Sequence, residues 1–557
     1  MTLHPAHPET LLNRHMLSSL HLGPRPLDRL TVEGILGIAC QRGSFERVED
    51  EKAELCPGVT WRRRRLGWTN GATGEDEGLC VNELRVRRNC RAQVRPSIAM
   101  TNPGLVDFEA IDNAYWQTVW AAGAIRIDRG EKIPRLFVNM RNLVCARPGA
   151  PRGPWEDLLE LQRAIESDEF DFDNADNYAC LPELEPRLSE GTTTGDIRVA
   201  RFLPAFPPSW SVQADGAVHA ATNAGYFLNF PEEYEDDGLS ALHQPIGALF
   251  ADGQLQMPPW IERPAAIEWK DGERRIELLG PSDIALSVNG EAPYRLVLGI
   301  DEPHAAATVW RHFDGPLPDP RANWPEVDLV FCGAGLVHPV RPGEVQPPLG
   351  GAIVRLAGDI ADPWLSWLDS PKTGPREMSR EAPFPRWRMS LLTSRANADL
   401  DWVVSAGPKL LNDGRVISGA DMLAPWAAGE FHAPDENGVG PAPTRFPYET
   451  ETTRAPRTAI GISGDGEWVL AVIDGRADMT HSVGMSLSEL ARLMARLGCR
   501  QAMNLDGGGS SVMCIEGLSP MQQLRPGLAA TVANIPSDTG HRERIVPVAL
   551  MVVDRIG

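Results

Sequence analysis

A chain of 557 residues, 42% hydrophobic and 23% charged, has the length for two to four domains, or for one large domain with insertions, and the composition of a soluble globular protein. Its formal net charge of -21 repels nucleic acid and anionic membrane surfaces, so neither is expected as a partner. Nine cysteines, an odd number without a Cys-x-x-Cys pair or a companion histidine cluster, argue against a zinc site and against a dense disulfide framework. The first thirty residues hold His4, His7, Glu9, Arg14 and His15 and no continuous apolar stretch, so no secretory signal is read. No apolar run reaches the roughly 18 residues that a membrane span needs. The expectation is a cytoplasmic protein.

Along the chain, residues 1–48 read as an N-terminal extension in which Leu30 to Ile38 could form one short element. From Pro57-Gly58-Val59-Thr60-Trp61 onward, short β-like runs alternate with turn signals, Val81 to Val86 among them. The stretch from about 101 to 190 differs and is expected to be an insertion: a helix-like segment from Trp155 to Ile165 precedes an acidic run, Ser167 to Asp173. That run lacks the glycine and the spacing of a calcium loop and reads as a solvated surface. Beyond residue 215, β-signals dominate: Ala217 to Ala221, Ile246 to Phe250 before Asp252-Gly253, and Ala265 to Trp269 before Asp271-Gly272. Proline-rich stretches at 314–326 and 371–387 read as long surface connections.

The last hundred residues give the clearest local structure. Thr458 to Ile462 and Trp468 to Ile473 flank Ser463-Gly464-Asp465-Gly466, a strong hairpin signal. Ser486-Leu487-Ser488-Glu489 has the spacing of a capping box, and Leu487, Leu490, Leu493, Met494 and Leu497 recur at helical spacing before Gly498. A strand from Gln501 to Leu505 then runs into Asp506-Gly507-Gly508-Gly509-Ser510, with a further strand from Ser511 to Ile515.

Three successive glycines are costly, each losing roughly 0.5–1 kcal/mol relative to alanine in regular structure. They suggest a backbone that turns sharply or admits a ligand closely. Asn504-x-Asp506 and the glycines are therefore the first candidate site, although a tight turn capped by Asp506 explains them equally well. Asp474-Gly475-Arg476 and Arg457 stand where strand meets loop on either side of the hairpin. Two guanidinium forks near two carboxylates suit a phosphodiester, the forks holding its free oxygens and the carboxylates working at the sugar carbon. Ordinary ion pairing of Arg457 and Arg476 with Asp474 or Asp506 is the alternative.

The run Arg454 to Ile462, then Asp474-Gly475-Arg476, Gly484 to Ala491, and Asn504 to Ser511, resembles the phosphodiester glycosidase family, which includes the lysosomal uncovering enzyme that leaves mannose 6-phosphate. Earlier segments are similar too: Pro57 to Thr60, Thr222-Asn223-Ala224-Gly225-Tyr226-Phe227, Pro245 to Gly253, and Ser405 to Leu411, with Asn534 to Ser537 and Glu543-Arg544 closing the match. Ala455 stands where many relatives carry histidine. The resemblance implies an α+β, β-rich mixed-sheet domain over 49–557, interrupted by the insertion. It implies hydrolysis at the anomeric carbon of a sugar-1-phosphodiester or phosphorylated glycan, releasing sugar and phosphomonoester. Asp506 is the expected catalytic carboxylate, with Asp474 as second acid/base or as orienter of Arg476. Arg457 and Arg476 are expected on the phosphate, and Asn223, Asn504, Gly507, Gly508, Gly509 and Ser510 along the substrate. No cofactor is expected, and a metal requirement stays open. The alternatives are a non-catalytic sugar-phosphate-binding protein of the same fold and an ordinary O-glycosidase.

Overall fold

A computed structural model describes residues 47–98, 217–227, 245–370, 385–417, 454–519 and 531–555, apart from short gaps within these ranges. The expected helix at 155–165, the acidic run at 167–173 and most of the N-terminal extension lie outside the described residues.

In chain order the strands begin with β1 (Arg47–Cys56), β2 (Val59–Thr69), β3 (Asp76–Val86), β4 (Ala92–Ile98) and β5 (Val218–Asn223). Next come β6 (Leu249–Ala251), β7 (Gln254–Met257), β8 (Arg263–Trp269), β9 (Arg274–Leu279), β10 (Ile284–Val288), β11 (Tyr294–Arg295) and β12 (Val297–Leu298). β13 (Ala307–Trp310), β14 (Glu326–Cys332), β15 (Gly335–Val340) and β16 (Gly351–Ala357) lead to helix α1 (Asp362–Asp369). β17 (Trp387–Leu391), β18 (Leu400–Ser405), β19 (Lys409–Asn412) and β20 (Arg415–Val416) follow. The last stretch holds β21 (Arg457–Ser463), β22 (Trp468–Ile473), helix α2 (Leu487–Arg496), β23 (Cys499–Asn504), β24 (Met513–Ile515) and β25 (Val548–Asp554).

The fold is β-rich, as expected. Its largest sheet has eight strands in the order β1-β2-β3-β22-β21-β23-β19-β20, so the first described strands pair directly with the last hairpin. A four-stranded sheet, β24-β5-β25-β4, is tied to the segment after β23 by Asn223, and Gly407, just after β18 of a five-stranded sheet, β7-β6-β18-β8-β9, is tied to Asn504 at the end of β23. Residues 284–391 contribute a three-stranded and a further five-stranded sheet. Among the described strands, pairing is antiparallel except between β12 and β13, which makes the described architecture mixed at that point.

The hairpin β21–β22 forms in the expected register, Thr458 opposite Val472 and Ile462 opposite Trp468. Every residue of β22 is buried, because its two faces pack into different cores. Val469, Ala471 and Ile473 meet α2, while Trp468, Leu470 and Val472 join the larger core with Trp61, Ile460 and Met503. A strand covered on both sides is apolar throughout instead of alternating. Helix α2 begins with the capping box: Glu489 N donates to Ser486 Oγ at 3.2 Å, and Ser486 N donates to Glu489 Oε2 at 2.8 Å. Gly498, at φ 85, ends the helical stretch in the left-handed region.

Some boundaries move. β23 starts two residues before Gln501 and stops at Asn504, since Leu505 N turns to donate to Thr458 O. Ser511 and Val512 precede β24 instead of belonging to it, because a 3-10 turn occupies Gly508–Ser510. Trp387 opens β17, so the proline-rich connection ends earlier than 387. Helix α1 was not foreseen: Pro363 at its first turn and two tryptophans obscure the helical period. Among the described residues, Cys56, Cys80, Cys90 and Cys499 are free thiols, and no described helix is long and apolar enough to cross a membrane.

Candidate active site

The register of three antiparallel strands brings the site together. β21 starts with Arg457 opposite Ile473, the last residue of β22, and β23 ends with Asn504 opposite Ala459. Arg457, Asp474 and Asn504 therefore emerge at one end of the large sheet. Asn223 arrives at the same place as the last residue of β5, carried by the four-stranded sheet.

The glycine turn is stitched over this end by its backbone. Leu505 N donates to Thr458 O at 2.8 Å, Asp506 N to Ala224 O at 2.9 Å and Gly508 N to Pro456 O at 2.9 Å. Its glycines have positional reasons. A Cβ on Gly507 would sit 3.0 Å from Pro456 O and 3.8 Å from Arg457 Cδ, and Gly508 adopts φ 62. The space beside Gly508 is bounded by Arg476, whose Nη1 lies 3.5 Å from where a Cβ would be. Arg476 itself adopts φ 63, a left-handed conformation that aims its exposed side chain across the turn.

Two layers result. Asp506, Gly507, Gly508 and Tyr226 are partly exposed and Arg476 is exposed, whereas Arg457, Asn504, Asn223, Gly509, Ser510 and Asp474 are buried below them. Asp506 Oδ1 accepts from Gly507 N at 2.8 Å, so the carboxylate does cap its own turn while keeping solvent access. Tyr226 Oη donates to Gly407 O at 2.8 Å and accepts from Asn504 Nδ2 at 2.8 Å. Burial above all, and then the negative charge of Asp506, hold its phenol in the protonated form, against the opposing pull of Arg263 and Arg457.

Arg457 donates from Nε to Met485 O at 2.9 Å. Burial, with the neighbouring positive charge of Arg476 adding to it, lowers this guanidinium to about 10, against the pull of Tyr226 and Glu489. It is still a cation at neutral pH, but a poorly solvated one, which is the electrostatic setting in which an anion gains most.

Asn223 and Asp474 are placed differently from the expectation. Asn223 Nδ2 donates to Asp506 O at 2.6 Å, while its Oδ1 accepts from Thr458 Oγ1 at 2.8 Å and from Val512 N at 3.2 Å. Fully buried and committed at both ends, it is a strap that holds the turn, not a group presented to a sugar. Asp474 Oδ2 lies 2.7 Å from His481 Nε2 and accepts from Ile535 N at 3.2 Å. Ala455 is bridged to Met485 by paired backbone hydrogen bonds of 3.1 and 3.0 Å.

Sequence reasoning missed Arg263 and did not assign Tyr226 to the site. Arg263, buried at the start of β8, stacks its guanidinium 5.7 Å from the Tyr226 ring centroid. Nothing local marks it, because the ring it stacks on, Tyr226, belongs to a separate segment of the chain. The cis peptide Gly407-Pro408 likewise joins the site through its carbonyls: Tyr226 Oη and Asn504 Nδ2 donate to Gly407 O, and Asn504 N donates to Pro408 O at 2.9 Å.

Fold and site together define a mainly antiparallel β protein with an arginine-lined, aspartate-bearing glycine turn at one sheet end. Residues 378–553 match the model of the phosphodiester glycosidase family. The matched span holds Arg457, Asp474, Arg476 and the whole glycine turn, while Asn223, Tyr226 and Arg263 reach the site from outside it. Over 62 residues the chain is 42% identical to the SPbeta prophage-derived uncharacterized protein YomE of Bacillus subtilis, covering 11% of this chain and 9% of that protein. Similar solved structures include a hypothetical protein from Synechocystis, 14% identical with a TM-score of 0.40 over 92% of this chain and 64% of that one. A putative exported protein from Burkholderia pseudomallei is 16% identical, with a TM-score of 0.43 over 91% of this chain and 97% of that one. The catalytic domain of zebrafish N-acetylglucosamine-1-phosphodiester alpha-N-acetylglucosaminidase, auto-inhibited by its pro-peptide, is 13% identical, with a TM-score of 0.35 over 96% and 95%. The chain thus spans under a tenth of the curated relative and 64% of the first of these structures.

Proposed function

We propose that the chain is a hydrolase that cleaves the bond between the anomeric carbon and the phosphate oxygen of a sugar-1-phosphodiester. The observation that carries this reading is the approach of two arginines to the turn that bears the partly exposed Asp506: buried Arg457, whose Cδ lies 3.8 Å from where a Gly507 Cβ would be, and exposed Arg476, whose Nη1 lies 3.5 Å from where a Gly508 Cβ would be. Such a pair can hold the non-bridging oxygens of a phosphodiester through charge-assisted hydrogen bonds. Asp506 then serves as the base for a water molecule: the water oxygen bonds to the anomeric carbon, its proton passes to the carboxylate, and the C–O bond to phosphate breaks. The phosphomonoester departs with the bonding pair, stabilised by the arginines. Because phosphate is a good leaving group, one exposed carboxylate suffices, which accords with the inward placement of Asp474. Asn504 Oδ1 and Ser510 Oγ, both buried and without a hydrogen-bond partner among the described residues, are the groups left for sugar hydroxyls or an ordered water.

The same inward placement of Asp474 favours a second reading, a sugar-phosphate-binding protein without turnover. One panel separates the two: purified full-length protein incubated with sugar-1-phosphodiesters and with the matching neutral O-glycosides, followed by phosphomonoester and free-sugar release. Turnover of the phosphodiesters alone is expected. Binding without release would establish the second reading, and preference for neutral glycosides would overturn both.

A further inference from the structure

We propose that Cys80, Asp474 and His481 form a buried structural site for a thiophilic divalent metal ion, zinc foremost, which fastens the segment carrying Arg476 to β3. Each residue offers one donor (Sγ, carboxylate oxygen and imidazole nitrogen), and the three lie within 4.8 Å of one another. All are buried, with exposures of 0% for Cys80, 1% for Asp474 and 6% for His481. Asp474 Oδ1 is buried and, among the described residues, accepts from no nitrogen or oxygen donor, with the Cys80 thiol the neighbour beside that desolvated carboxylate. An uncompensated oxygen of this kind is costly unless an electrophile meets it.

The donor chemistry selects the ion. A thiolate, a carboxylate and a neutral imidazole carry two negative charges and balance one divalent cation, as a low-dielectric interior requires. Thiolate and imidazole suit zinc and disfavour magnesium or calcium, and three protein donors leave the fourth tetrahedral position to a water. On binding, the sulfur–metal bond replaces the Cys80 S–H bond and the thiol proton leaves to solvent. Without an ion, burial and then the Asp474 charge hold that thiol firmly protonated.

The backbone is already clamped around these donors. Asp474 N donates to Cys80 O at 3.1 Å, Cys80 N to Ser482 Oγ at 3.1 Å, and Ser482 Oγ to Asp474 O at 2.6 Å. Gly78 N donates to Met479 O at 2.9 Å and Val483 N to Gly78 O at 2.8 Å, so both ends of the 478–483 turn are fixed to β3. A preformed frame lowers the reorganisation cost of binding. The arrangement is invisible to sequence spacing, since Cys80 lies hundreds of positions from His481.

The rival account is a metal-free ion pair of Asp474 with protonated His481 beside a neutral thiol, which also sums to zero charge. To separate them, the full-length protein is stripped with chelator, loaded with zinc, freed of excess by gel filtration and assayed for zinc per chain. Cobalt is loaded in parallel for its thiolate charge-transfer absorption, with magnesium as control. Expected are stoichiometric zinc, a cobalt–thiolate band and a raised Tm in the wild type. The band and the Tm rise should disappear in Cys80→Ser, and retained zinc should fall in His481→Gln. A wild type that retains no zinc overturns the proposal even if both variants fail to fold. So does Cys80→Ser that keeps the same stoichiometry and the same Tm rise.

Discussion

At the residue scale the site depends on which charged groups reach solvent. Asp506 is the carboxylate that does so while belonging to the glycine turn. Asp506→Asn keeps the Gly507 amide bonded to the side-chain oxygen, so folding should persist while turnover falls about 10²-fold or more. Steady-state phosphomonoester release with a parallel melting curve measures this, and a collapsed Tm with retained specific activity would falsify the catalytic assignment. The arginines divide by depth. Arg457→Lys keeps a cation but loses the fork and the Nε bond to Met485 O, and should weaken phosphodiester affinity about ten- to a hundredfold. Arg476→Lys, at the exposed rim, should lose less. Neither should affect a neutral glycoside in proportion, and equal impairment on both substrates would show that the phosphate is not what they read.

Arg457 also gives a pH expectation. Its cation is held more weakly in the folded chain than in the unfolded one, so the cost of burying it is present at all pH values below about 10 and fades as pH rises through that value. At pH 7 an anion beside it offsets part of that cost. Inorganic phosphate should therefore raise Tm in the wild type and do so less in Arg457→Met, read by differential scanning fluorimetry at constant ionic strength.

At the scale of elements, the loop between β22 and α2 is held by contacts that admit no side chain. Gly484 has φ 78, and a Cβ there would lie 2.6 Å from Ala455 O and 2.7 Å from Ala455 C. A Cβ on Gly475 would meet Gly484 Cα at 2.9 Å. Gly484→Ala must therefore push the Ala455–Met485 bridge apart, the same segment on which Arg457 is anchored. A loss of about 2 kcal/mol or more is expected in denaturant unfolding, with weaker phosphodiester binding in whatever remains folded. An unchanged unfolding midpoint would mean that the loop relaxes freely. The capping box beside it has a double duty, since Glu489 both closes the helix start and pairs with Arg454 at 3.1 Å. Local sequence signals reveal the cap but not the ion pair.

At the scale of the whole molecule, distant segments are fastened by buried charge. Arg274 in β9 pairs with Glu268 in β8 at 3.2 Å, both side chains 2% exposed, and also donates to Val86 O and Gly466 O. Trp468 Nε1 donates to Glu268 Oε2 at 2.7 Å, so one carboxylate joins β8 and β9 to the central hairpin. Removing it leaves a buried cation without its counter-charge. Glu268→Ala should cost about 3–5 kcal/mol, and Glu268→Gln, which keeps the acceptor for Trp468, distinctly less. Comparable unfolding midpoints for the two variants would show that the charge of Glu268 is immaterial.

What the sequence determined by itself was local. The hairpin at 458–473, the capped helix from 487 and the strand into three glycines each rest on interactions within about twenty residues, so turn chemistry and periodicity were enough to read them. The candidate carboxylate and both arginines were legible for the same reason, as strand ends beside turns. The tertiary structure decided which of those groups face outward. Asn223 was expected on the substrate but is spent on Asp506 O, Thr458 and Val512, and Asp474, expected as second acid/base or as orienter of Arg476, bonds to His481 and Ile535. It also decided that Arg263 and Tyr226 join the site and that Cys80 meets Asp474. These pairings follow from strand order in the sheets, where β3 lies beside β22 and β5 beside β24 and β25. Strand order is set by the burial of whole faces, a property that no single segment carries.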